Sequence, residues 1–89
     1  MSRKTVVVRM VTAAGCERCK DVLARVVACA KRANVVVALE EFDSQTSGAV
    51  DLGVEHGLDD VPSVVIAGRA FCGTGFRDED LEKAMEAAR

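Results

Sequence analysis

Cys16 and Cys19, in the run Cys16-Glu17-Arg18-Cys19, are the residues whose type and spacing most directly suggest chemistry. Side chains three apart on a helix share a face with Cβ atoms about 5 to 6 Å apart, within modest adjustment of disulfide geometry. The spacing therefore permits a reversible disulfide. It equally permits two thiolates to hold a soft ion such as Cu(I) or Hg(II), and a CxxC alone is shared by redox enzymes, zinc sites and soft-metal chaperones. The elements around the pair bear on which of these applies.

The pair stands where a strand hands over to a helix. Thr5 to Thr12 (TVVVRMVT) is short, rich in β-branched residues and almost continuously apolar, the pattern of a strand buried on both faces. From Cys16 to about Ala33 there is no Gly or Pro, and Val22, Leu23, Val26, Val27 and Ala30 recur at helical spacing. Cys16 then falls at the helix N-terminus, where unpaired amides and the positive end of the dipole favour thiolate over thiol, as a nucleophile requires. Cys19, one turn inside and nearer the apolar stripe, suits the resolution of a mixed disulfide. Glu17, Arg18, Lys20 and Asp21 carry two charges of each sign and add no net field, which leaves the helix terminus to activate the thiol. This placement favours redox chemistry.

Further along, Asn34 ends the helix and Val35 to Leu39 reads as a second buried strand running on to Phe42. A strand, helix, strand unit of this kind predicts parallel strands with a right-handed crossover. Ser47 to His56 is a weaker helix, interrupted by Gly48 and Gly53 and capped by Gly57. Val61-Pro62 contains the one proline, at an X-Pro bond for which the cis form is accessible and would expose backbone. Ser63 to Ala67 reads as a third strand, Gly68-Arg69 as a tight turn, and Ala70 to Cys72 as a fourth strand. Asp78, Glu79 and Asp80 open a last helix with an apolar stripe of Leu81, Ala84, Met85 and Ala88. The order is βαβαββα, an α/β chain without repeats or linkers.

With a CxxC after the first strand, Val61-Pro62 before the third and glycines before the last helix, the sequence resembles the thioredoxin and glutaredoxin superfamily over nearly all its length. The resemblance implies a four-stranded mixed sheet of order 2-1-3-4 with helices on both faces. It also implies a cis Val61-Pro62 peptide beside the cysteine pair, whose backbone pairs with the bound thiol substrate. Val61 and Pro62 would form that substrate ledge, with Gly73 and Gly75 partly imitating the Gly-Gly and acidic segment by which glutaredoxins hold glutathione. The short chain looks like a glutaredoxin-sized or prokaryotic thioredoxin-like protein. It departs from both sites in having Gly15 before the pair and Glu17-Arg18 within it, so a reduction potential does not transfer.

Other candidates read more simply as structure. Cys29 lies on the stripe of Val22 and Val26, about 15 Å from Cys19 along the helix, too far to share a zinc ion or a disulfide, and is expected in the core. Cys72 is expected to pack, although it precedes the glycines near the ledge. His56 has no acid-base partners suggested by its neighbours. Phe42, Phe71 and Phe76 flank or end elements and read as core. Glu40, Glu41 and Asp43 read as a solvated strand end.

At 89 residues the chain has room for one domain, residues 1–89, and its 49% hydrophobic and 29% charged residues suit a folded globule. The net charge of -2, with signs mixed, offers no basic stripe for nucleic acid. The charged start Met1-Ser2-Arg3-Lys4 and the apolar run after it faintly resemble a signal peptide. That run is broken by Arg9, however, and the cysteine pair falls where cleavage would be expected, so the segment reads as the first strand and not as an export signal or a membrane span. Four cysteines without an export signal indicate a reducing compartment, expected to be the cytoplasm. The expected protein is thus a monomeric thiol-disulfide oxidoreductase without metal or cofactor. Its partners would be disulfide-containing proteins and, as electron donor, a flavin-dependent reductase or glutathione. The main alternative is a soft-metal (Cu/Hg) carrier using the same CxxC, since Ala14 to Cys19 loosely resembles the loop of small metal chaperones; those run βαββαβ and end in a strand. A third is a non-catalytic interaction module.

Overall fold

Seven elements follow the periodicities of the chain: β1 (Thr5–Thr12), α1 (Glu17–Ala33), β2 (Val36–Asp43), α2 (Ser47–His56), β3 (Ser63–Ile66), β4 (Arg69–Cys72) and α3 (Asp78–Ala87). They belong to a computed structural model that describes residues 3–88; Met1 and Ser2, the first residues of the charged start weighed above, lie outside it. The strands form one mixed sheet of order β2-β1-β3-β4. β1 and β2 are parallel, with Val8 opposite Leu39, as the intervening α1 requires. β1 and β3 are antiparallel, as are β3 and β4. This is the βαβαββα arrangement, with order 2-1-3-4, that the resemblance implies.

The two faces of the sheet are covered unequally. On one, Val6, Val8 and Met10 of β1 meet Val22, Val26 and Cys29 of α1 and Leu81, Ala84 and Met85 of α3, all essentially without solvent contact. Burying each of the larger side chains contributes about 1.5 to 3 kcal/mol, and this layer is the main core. On the other, a smaller cluster of Val11, Ala49, Leu52 and Val65 lies under α2. Because α2 is short and covers one end only, Val7 and Val36 on that face remain 47% and 42% exposed. β1 is therefore buried on both faces only near Val11, and its N-terminal half alternates. β2 is an edge strand without a fully buried residue. Both differ from the fully buried strands expected, because continuous apolar runs record composition and not how much helix is available to cover each face. The strand buried throughout is β3.

Local chemistry explains most boundaries. Asn34 closes α1 in the left-handed conformation, at φ 57°, and its N–H returns to the Ala30 and Lys31 carbonyls. Gly57 does the same for α2. Gly48 lies close under Phe42: a Cβ there would stand 3.1 Å from the ring, which would have to shift by a few tenths of an ångström. The hairpin turn is Ala67-Gly68, not Gly68-Arg69: both Ala67 (φ 52°) and Gly68 (φ 79°) are left-handed, the requirement of a two-residue turn between twisted strands. Alanine is not an expected residue in that conformation, which is why the sequence pattern points to a turn one position later.

Candidate functional site

Cys16 caps α1. Gly15, at φ 72°, turns the chain out of β1, and the Cys16 N–H donates to the Ala13 carbonyl at 3.2 Å, which sets the cysteine at the first turn of the helix. Its Sγ accepts a hydrogen bond from the Cys19 amide at 3.1 Å, so the sulfur takes the place of the oxygen of an ordinary capping side chain. The two cysteines are joined as a disulfide with Cα atoms 5.3 Å apart. Cys19 is buried and Cys16 half-buried against the same core. The pair is thus asymmetric in exposure, with Cys16 the more exposed residue.

The segment expected to form the ledge immediately precedes β3. Val61-Pro62 is cis. Pro62 is buried, and its carbonyl accepts the Gly73 N–H at 2.8 Å, which ties the glycine segment to the proline. Gly73 is left-handed (φ 69°), and a Cβ on it would stand 2.9 Å from the Asp60 carboxylate. Gly75, two residues on, is exposed, with open space where a Cβ would stand. Val61, Pro62 and Gly73 are therefore joined to one another, through the Pro62 carbonyl and Asp60, and Gly75 lies outside that packing.

The link between the pair and the ledge is Arg18, whose NH2 donates to the Val61 carbonyl at 2.8 Å and lies 3.6 Å from Asp60 Oδ1. The same Oδ1 accepts the Val61 N–H at 2.8 Å, and the Asp60 carbonyl accepts the Ser63 hydroxyl. Neither Arg18 nor Asp60 stands out in the sequence by motif. One signal was present: a cation at the second position of a helix opposes the dipole, so Arg18 needed a reason from elsewhere.

Arg25 is a second residue the pattern conceals, and it fixes the glycine loop. Its Nε donates to Asp78 Oδ1 at 2.7 Å, NH1 to the Thr74 carbonyl at 3.0 Å and NH2 to the Phe76 carbonyl at 2.7 Å, while the guanidinium lies 4.3 Å from the Phe76 ring centre. The planar fork of donors suits this three-way tie. Its signal was a charged residue interrupting the apolar stripe between Val22 and Cys29, where only a partnered charge is tolerated.

Cys29 is a buried thiol whose sulfur contacts Arg32 NH2 at 3.2 Å and the Asp78 carbonyl at 3.6 Å. Burial first, then the Asp78 carboxylate, pushes it above the ordinary value of 9.0, against the opposing pull of Arg32. Cys72 is a half-buried free thiol at the end of β4. His56 is half-buried, 3.8 Å from Glu55. Phe71 is core, Phe76 meets it edge-on at 5.6 Å, and Phe42 packs under α2. Beside the ledge, an open groove of about 630 Å³ runs past Val50, Val54 and Leu58, with Arg18, Asp60 and Val61 also in its lining. Among the described residues, no three His, Cys, Asp or Glu side chains gather to hold a metal ion, and no helix is long and apolar enough to cross a membrane.

No protein-family model matches the chain, and no curated protein does so either. Among solved structures, the chain is similar to one described as that of a malarial protein, with a TM-score of 0.60 at 14% identity, covering 96% of this chain and 98% of that one. At that identity the likeness concerns the fold: an α/β chain of the same overall course.

Proposed function

We propose that this chain is a cytoplasmic thiol-disulfide oxidoreductase of the thioredoxin and glutaredoxin kind, acting through Cys16 and Cys19. The observation that carries the reading is the helix-capping Sγ of the half-buried Cys16, hydrogen-bonded by the Cys19 amide and bonded to a buried Cys19. The same N–H that caps the helix favours negative charge on the sulfur, which is the nucleophilic form. The hydrogen bond from Arg18, inside the CxxC, to the Val61 carbonyl supports the reading of Val61 and Pro62 as a substrate ledge.

In the reaction, the Cys16 thiolate attacks a substrate disulfide. A Cys16–substrate disulfide forms, and one substrate thiolate leaves and takes a proton from solvent. Cys19, deprotonated, then attacks Cys16 Sγ; the Cys16–Cys19 bond forms and the second substrate thiol departs. Two electrons pass from the dithiol to the substrate, and a reductase or glutathione returns them. The element order, with β3 and β4 consecutive between α2 and α3, favours this reading over the βαββαβ course of the soft-metal carriers.

Insulin reduction, assayed separately with a flavin-dependent reductase plus NADPH and with glutathione plus its reductase, tests the proposal. Turnover with either donor, abolished in Cys16→Ser, is expected. No turnover with both donors, together with tight binding of one Cu(I), would instead identify a carrier.

A further inference from the structure

The two polar groups of the Val61 residue are both occupied from within the molecule. Its N–H donates to Asp60 Oδ1 at 2.8 Å and its carbonyl accepts Arg18 NH2 at 2.8 Å. An extended peptide arriving beside the cysteine pair would use these same groups, because its backbone must find partners as it leaves water. It therefore competes with two side chains of opposite charge.

The two are not equally easy to displace. Asp60 is held on three sides: Oδ1 by the Val61 N–H, its carbonyl by the Ser63 hydroxyl, and Oδ2 against Gly73, whose lack of a Cβ leaves the room it fills. Arg18 has a long side chain, 57% exposed, and reaches the ledge through one hydrogen bond and a 3.6 Å ion pair in solvent. Exposed pairs of this kind contribute little, so the guanidinium moves first. Once it moves, the charges left in the groove lining are Asp59 and Asp60. Nearby on α1, Glu17 and Lys20 are paired with each other at 3.7 Å and offset one another.

Resting on the oxidoreductase reading, we propose that Asp60 determines the specificity of the ledge: it selects disulfides that carry a cationic group close to the sulfur and disfavours anionic ones, and Arg18 is the built-in occupant that such a cation replaces. An incoming ammonium or guanidinium takes the position of the Arg18 guanidinium beside the carboxylate, while an incoming carboxylate meets like charge. A like-charge contact at the entrance lowers the rate of encounter as well as the affinity.

The test uses pre-reduced protein, freed of reductant, at low ionic strength. It is mixed with cystamine, hydroxyethyl disulfide or dithiodipropionate, which are cationic, neutral and anionic. The protein dithiol is the reductant: each turnover breaks the substrate S–S bond, forms the Cys16–Cys19 bond and releases two thiols. Appearance of the protein disulfide is followed by acid quench and alkylation. Each rate is divided by that of dithiothreitol with the same disulfide, which removes the intrinsic reactivity of the leaving thiol.

The normalised rates are expected to fall from cystamine to dithiodipropionate by roughly tenfold. Asp60→Asn keeps an oxygen for the Val61 N–H and should compress the spread to about twofold, whereas Arg18→Ala, which removes the internal competitor, should widen it. A spread unchanged in Asp60→Asn, or narrowed in Arg18→Ala, overturns the charge selection and leaves the redox reading intact. Failure of all three disulfides to oxidise the pair overturns the redox reading, and this proposal with it.

Discussion

The amide N–H of Cys19 donates to the Sγ of Cys16 at 3.1 Å, so the sulfur at the start of α1 is also the cap of that helix. In the reduced protein the same amide and the helix terminus favour the Cys16 thiolate, while Cys19 faces the core. Under limiting iodoacetamide near neutral pH, Cys16 should be alkylated first, as read by peptide mapping. Cys19→Ser should accumulate a mixed disulfide with substrate, because attack still occurs and the resolving thiol is gone. Labelling of Cys19 ahead of Cys16 would reverse the roles.

Cys29 should report its burial through pH. Its thiol is held above 9.0 by burial and the Asp78 carboxylate, so the folded chain keeps a proton that the unfolded chain releases. The stability tied to this group is complete below the unfolded value and is lost as pH rises past it. Between about pH 8 and about pH 10, the urea midpoint should fall more steeply for the wild type than for Cys29→Ala. Parallel profiles would show that the thiol titrates alike in both states.

Arg25 joins α1 to α3 and to the loop between β4 and α3 by three hydrogen bonds and a ring contact. Arg25→Ala leaves Asp78 and two loop carbonyls without this partner and should cost about 2 to 3 kcal/mol in urea unfolding at unchanged slope. Arg25→Lys should recover less than half of that, because an ammonium cannot present the planar fork. Full recovery by lysine would reduce the role of Arg25 to its charge.

The two glycines of the loop should differ. Gly73→Ala places a Cβ at φ 69° and against Asp60, and should cost about 1 to 2 kcal/mol, chiefly from the backbone conformation. Gly75→Ala meets open space and should remain within about 0.5 kcal/mol of wild type. Thermal unfolding of the two variants side by side checks this; equal losses would refute it.

The β3–β4 turn has room for improvement. Ala67 holds φ 52° in a turn that prefers asparagine before glycine. Ala67→Asn should therefore stabilise by about 0.5 to 1 kcal/mol, seen as a higher urea midpoint. A lower midpoint would mean that the alanine methyl makes a contact of its own.

What the sequence determined by itself is what depends on neighbours along the chain. The β-branched run of Thr5–Thr12, the helical stripe through Val22, Val26 and Ala30, the Asn34 and Gly57 stops and the acidic start of α3 each specify a backbone conformation locally, and the seven elements followed from them. The placing of Cys16 at the start of α1 followed in the same way. What only the tertiary structure decided is what depends on residues brought together from far apart. α2 reaches one end of the sheet, which leaves half of β1 and most of β2 open although both read as buried. Arg18 lies 43 positions from the carbonyl it caps, and Arg25 lies 53 from Asp78. A charged side chain carries no record in its own neighbourhood of which distant carbonyl will accept its hydrogen bond; the packing of α1 against the ledge and the glycine loop settles it.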